Sequence, residues 1–116
     1  MAVHAQSLNF RVNVPFDFVV GSHTLPAGEY SVDQDLSSVV SLKCADHKGS
    51  AMVIAFPLLA SFAQNEKRLM FHRYSNTYFL AQIWGPGAYG REFPTTDREH
   101  ELAAEGFDNI AVQERR

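Results

Sequence analysis

The chain has 116 residues, 46% hydrophobic and 20% charged, with a formal net charge of -3. That profile fits one globular domain with enough chain to bury a core, and it excludes a disordered polymer. The acidic balance, with no basic run, excludes a general polyanion binder. The single cysteine excludes an internal disulfide or multi-cysteine zinc site, and no run reaches the roughly 20 apolar residues of a membrane-spanning helix.

Residues 1–7 stand apart. Val3-His4-Ala5 before Gln6-Ser7 puts small residues at the two positions a signal peptidase reads. Met1 to Ala5 is therefore either the stub of a removed export signal or a plain disordered end. A single β-rich domain over 8–113 follows, and 114–116 reads as a frayed tail.

From Leu8 the pattern LNFRVNV alternates strictly, with Leu8, Phe10, Val12 and Val14 on one face, the mark of a half-buried strand. Pro15 removes an amide donor and marks an edge, bulge or corner before the next strand, Phe16 to Val20. Gly21-Ser22-His23 is a turn, and Pro26-Ala27-Gly28 has the chemistry of a type I turn followed by a bulge. Glu29 to Asp33 continues as a strand with Tyr30 and Val32 inward. Ser38 to Cys44 and Ser50 to Phe56 are β-branched runs joined by a polar loop ending in Gly49. Cys44, at the end of its run, reads as a small buried hydrophobe.

Between Pro57 and Lys67 the periodicity is lost, and PLLASFAQNE reads as a loop or a short helical turn. Leu58, Leu59 and Phe62 are more apolar than a solvated loop warrants. Either they close the end of the core or they form an exposed contact patch.

Arg68 to Gly85, RLMFHRYSNTYFLAQIWG, holds the only tryptophan and reads as a hairpin turning at Ser75-Asn76, with Tyr74 facing Thr77. Unbroken alternation puts Met70, His72, Tyr74, Phe79, Ala81 and Ile83 on one face. Leu69, Phe71, Arg73, Tyr78, Leu80 and Trp84 take the other. Both faces are largely apolar, so the C-terminal helix, another sheet or another subunit must cover the second one.

Gly85-Pro86-Gly87-Ala88-Tyr89-Gly90 matches the dinucleotide fingerprint G-x-G-x-x-G letter for letter. The fingerprint needs a helix opening at the glycines inside a βαβ unit. Here Pro94 intervenes and the upstream strands read as antiparallel, so the segment is read as a glycine-rich corner between strand and helix. Thr96 with Glu99 fits a capping box and Gly106 a left-handed stop, which predicts a helix over about Asp97 to Glu105 with Phe107 folding back on Leu102. Asn109 to Gln113 then offers a short last strand.

The five histidines show no metal-ligand spacing, and Glu99-His100-Glu101 reads as a solvated charged face. His72, mid-strand among apolar neighbours, reads as a hydrogen-bonded core residue. A general-base role there needs partners brought from elsewhere in the fold. Asp17, between Phe16 and Phe18, is either a buried carboxylate facing a cavity or a solvated one, and Arg73 opposite Tyr78 suggests a cation–π pair. No serine or cysteine nucleophile carries a local signature, so the chain reads as noncatalytic, with no cofactor called for.

The segments VNVPFDFVVGSHTLPAGEYSV, FHRYSNTYFLAQIWGPGAYGREFP and EHELA together resemble an uncharacterised family of small, exported β-rich proteins common in acidobacterial genomes. The resemblance runs from Asn13 to Ala104 and implies that Met1 to Ala5 is a signal-peptide remnant. It carries over no catalytic residue. PLLASFAQNE lies outside the shared pattern.

The sequence thus predicts an all-β domain, mainly an antiparallel meander of about eight strands curled into a barrel or split into a sandwich, with one short C-terminal α-helix. The functional expectation is a noncatalytic exported protein, periplasmic or extracellular, acting through protein contacts as a possible homodimer. Leu58, Leu59, Phe62, Phe71 and Tyr78 are the candidate interface. The alternative is a barrel holding a small apolar ligand, its cavity lined by Phe16, Phe18, Tyr30, His72, Phe79 and Trp84. An enzyme, the third reading, needs polar groups converging on His72 or Asp17.

Overall fold

The computed structural model describes residues 8–34, 38–46, 49–64, 66–85, 87–102 and 106–114, with backbone only for residue 8, 59–64 and 87–89. The expected export stub therefore lies outside the described residues. In chain order the elements are β1 (Leu8–Val14), β2 (Phe18–Val20), β3 (His23–Leu25), β4 (Gly28–Gln34), β5 (Val39–Cys44) and β6 (Ser50–Ile54). Then come β7 (Phe56–Gln64), β8 (Arg68–Tyr74), β9 (Thr77–Trp84), β10 (Gly87–Glu92), α1 (Asp97–Leu102) and β11 (Asp108–Gln113).

The strands form two sheets packed face to face, ordered β1-β4-β5-β6 and β11-β8-β9-β10-β7, with β2 and β3 beside β9. The first sheet is antiparallel throughout, and alternation decides its faces. Phe10, Val12, Val14, Tyr30, Val32, Val40, Leu42, Cys44 and Ala51 point inward and are buried, while Arg11, Asn13 and Lys43 point out. The second sheet meets them with Leu69, Phe71, Leu80 and Ile83, joined by Phe18, Val20, Leu25 and Phe93. Thus the all-β fold with one short helix stands, as a two-layer arrangement whose sheets do not close into a barrel.

Two segments depart from the sequence reading. Residues 57–64, expected as loop or helical turn, belong to strand β7, and the glycine-rich corner runs into strand β10, antiparallel to both β7 and β9. β7 and β10 pair mainly with each other, across a register shift between Gly87 and Tyr89. Gly90 has a steric role: a Cβ there would lie 2.5 Å from Cε3 of Trp84 and 2.8 Å from the Ile83 carbonyl oxygen. The tryptophan ring occupies the space a side chain would fill, which accounts for the glycine without a nucleotide.

The β8–β9 hairpin turns where expected, with Tyr74 opposite Thr77 and Ser75 at a positive φ of 57°. Alternation then breaks. Phe71 pairs with Leu80 but Met70 pairs with Gln82, so Ala81 is an extra residue, a β-bulge. The bulge exchanges the faces of everything beyond it. Ile83, opposite Leu69, enters the main core, and Trp84, opposite Arg68, moves to the far face, the reverse of the assignment from unbroken alternation. The freed carbonyl of Ala81 accepts the Phe93 amide at 2.9 Å, anchoring the chain as it leaves the sheet. One pairing is parallel, Val19 beside Phe79.

The two sides of the sandwich differ. On one side β1 and β11 are stitched together by a bridge between Val12 and Glu114. The Glu114 amide bonds to the Lys67 carbonyl at 2.8 Å, and the Lys67 ammonium reaches the Asn9 carbonyl at 3.3 Å. On the other side the chain passes from β6 to β7 through Ala55 alone, and both strands are terminal in their sheets among the described residues. That side is the open edge.

Candidate functional site

Two places carry features that core packing alone does not require: the covered far face of the β8–β9 hairpin and the open edge.

The far face is covered by α1. Thr96 Oγ1 accepts the Glu99 amide at 3.3 Å, as an N-cap should. The Glu99 carboxylate does not return to complete a capping box. It turns under the helix, where Oε2 accepts the Tyr74 hydroxyl at 2.8 Å and lies 3.1 Å from Nδ1 of His72. Glu99 is buried at 6% exposure, so the expectation of a solvated face holds for His100 and is corrected for Glu99. Leu102 packs against a small second core of Val19, Tyr74 and Phe79, and the Arg98 guanidinium sits 5.8 Å over the Phe79 ring. Gly106 has a positive φ of 76°, and Phe107 stacks on His72 with centroids 4.1 Å apart.

Burial first, and then the bond to and the charge of Glu99, push the Tyr74 hydroxyl up to about 12. The Tyr74 hydroxyl and His72 Nδ1 converge on one carboxylate oxygen of Glu99, and aromatic and aliphatic side chains surround them. This is the geometry of a clasp that fixes the helix to the sheet: each donor is satisfied by Glu99, and the His72 ring is covered on one side by Phe107. No cluster of three or more metal-ligating side chains occurs among the described residues.

The open edge has the opposite character. Along β6, Ala51 points inward while Ser50, Met52 and Ile54 point out. Met52 is 71% exposed, Ile54 56%, and Phe56, just beyond, 55%. The main chain has the same parity. Cys44 N–H bonds to the Gly49 carbonyl and Ala55 N–H to the Ser38 carbonyl, which makes residues 51, 53 and 55 the ones that bond across to β5. Ser50, Met52 and Ile54 therefore aim their N–H and C=O groups away from the sheet. β6, SAMVI, contains no charge and no proline, and so lacks two of the devices by which edge strands avoid pairing with other chains.

The six residues proposed to line one cavity do not converge. Phe18 and Tyr30 meet at 5.3 Å inside the main core, and Phe16 stacks on Tyr78 at 3.7 Å, at the border of that core. Phe79 and His72 lie across the sheet beneath α1, and Trp84 packs beside Gly90. Two sheet faces separate them, because a single strand sends alternate residues to opposite layers.

Of the candidate interface, Phe71 is fully buried between the sheets and forms no contact surface, while Tyr78 is half-buried and stacked on Phe16. Leu58 is half-buried, and the side chains of Leu59 and Phe62 lie outside the described residues. Asp17 is solvated and braces a turn, accepting the Ala27 amide at 2.8 Å. Arg73 pairs with Asp108 at 2.6 Å. Cys44 is buried, its thiol donating to Asp46 at 2.9 Å. Sequence reasoning missed Met52 and Ile54, although their spacing of two in a strand-like run was visible. It missed Glu99 because a capping-box glutamate ordinarily serves its own helix.

No protein-family profile, curated protein or solved structure matches this chain.

Proposed function

We propose that the chain is a noncatalytic exported protein, periplasmic or extracellular, that acts through protein contacts at its open β6–β7 edge. The observation that carries this reading is β6 itself: an uncharged terminal strand with outward-facing backbone groups and two large exposed apolar side chains. Soluble proteins protect such strands or use them, since an unprotected one templates pairing with another chain. The export part is supported by the peptidase-like spacing at Val3-His4-Ala5. The clasp at Glu99 fixes α1 to the β8–β9 face, and its polar groups satisfy one another.

The test is photocrosslinking in the bacterial envelope from benzoylphenylalanine placed at position 54, with position 11 on the polar side of the same sheet as control. Discrete adducts are expected from 54 and none from 11, with the protein recovered outside the cytoplasm. Equal adducts from both positions, or none from 54, would overturn the assignment of the edge. Recovery only in the cytoplasm would overturn the export.

A further inference from the structure

We infer that the occupant of the open edge is a second copy of this chain, joined by antiparallel pairing of β6 with itself about a two-fold axis at Met52. The inference rests on the reading of that edge as a docking surface and names its partner.

The argument is one of self-complementarity. An antiparallel pair repeats hydrogen-bonded and non-hydrogen-bonded positions alternately, and a two-fold axis through a hydrogen-bonded pair sets its central residue opposite itself and pairs the flanking residues reciprocally. Met52 is the central residue of β6, and its N–H and C=O point out of the sheet. Set on the axis, it exchanges both hydrogen bonds with the second copy's Met52. Ser50 and Ile54, the other outward-bonding residues, then pair reciprocally. Every outward main-chain group of β6 is satisfied and no register slip is needed.

Side chains and charge agree with the backbone. Residues directly opposite in an antiparallel pair share a face, so Met52 and Ile54 of both copies form one apolar strip on the outer face. Val39, opposite Ile54 on β5, extends it. The inner faces join as well, with half-buried Val53 of each copy brought beside the seam. Two molecules of net charge -3 repel in general, but β6 brings no charge opposite its like. The product is a continuous eight-stranded sheet made of two four-stranded ones. A single strand pair is a small interface, which makes the dimer reversible rather than obligate.

Sedimentation equilibrium across the micromolar to millimolar range tests this. The wild type is expected to show a monomer–dimer equilibrium. Met52→Pro is expected to remain monomeric with its β-sheet circular dichroism intact, because the amide it removes points away from β5. Ile54→Lys is a second disruptor that leaves the backbone alone and should also abolish the dimer. Met52→Cys should oxidise readily to a disulfide-linked dimer across the axis, whereas Ser50→Cys, displaced from it, should not.

A wild type monomeric throughout, while position 54 still crosslinks in the envelope, would overturn the second copy and leave the docking edge standing. Loss of the crosslinks as well would remove both. A dimer indifferent to Met52→Pro and to Ile54→Lys would overturn the strand pairing.

Discussion

Replacing Glu99 separates a clasp from a decoration. In Glu99→Ala, the Tyr74 hydroxyl and Nδ1 of His72 lose their shared acceptor. Tyr74 is only 3% exposed, so its hydroxyl carries the full penalty of a buried orphan donor, about 1–3 kcal/mol. His72, with 23% of its side chain exposed, recruits water and adds less. Removing the buried carboxylate also recovers part of its own desolvation, which offsets the His72 contribution, so the net loss stays at about 1–3 kcal/mol. For a domain of 116 residues that is a fall in Tm of about 5–10 °C. Glu99→Gln keeps an uncharged amide oxygen that Tyr74 and His72 can share, and is expected to lose less than half as much.

The assay is thermal unfolding of the three proteins, with tyrosine absorbance titration in parallel. Glu99→Ala should also bring the Tyr74 ionisation down from about 12, because the bond to Glu99 and its charge are removed and burial alone remains. Equal destabilisation by Gln and Ala, or an unmoved Tyr74, would refute the assignment of the carboxylate as the shared acceptor.

Gly90→Ala should drive the sole tryptophan from its seat, since neither the indole nor the Ile83 carbonyl can retreat far in a paired sheet. Overpacking of about 1–3 kcal/mol and a red-shifted Trp84 emission are expected, and an unshifted spectrum with unchanged stability would show that the contact is wrong. Alkaline stability depends on Tyr74 and Tyr30, both held protonated by the fold, chiefly through burial. The folded state binds these protons more tightly than the unfolded chain does. The stabilisation is therefore complete below the ordinary phenol range near pH 10 and is lost as pH rises towards 12 and beyond. Ionisation of all four tyrosines in the ordinary range, with the fold retained, would contradict this.

The strands with one wet face were legible from the sequence: LNFRVNV and the run through Tyr30 and Val32 alternate because only one side meets the core. The hairpin turn, the helix start at Thr96 and the positive φ of Gly106 were legible because local chemistry fixes them, while the expected helix end at Glu105 lies outside the described residues. β7 and β10 were not, since their pairing is mutual and distant in sequence, and neither shows a clean alternation. The clasp was half visible. His72 was marked as needing partners, but Glu99 and Tyr74 come together only once α1 docks, and no spacing encodes that. The edge was sought in PLLASFAQNE, one strand later than the exposed Met52 and Ile54.

Ala81 works like a single inserted letter in a two-letter code. Upstream of it the hairpin writes core and cover in one phase, and downstream in the other, so that adjacent Ile83 and Trp84 exchange destinations. Without the insertion the larger indole would be directed into a layer already filled by Leu69 and Phe71, and the face that now seats on Gly90 would receive a branched aliphatic side chain instead. The shape of the tryptophan, the bareness of Gly90 and the extra alanine are thus one decision written in three places, and a change in any one of them requires an answer from the other two.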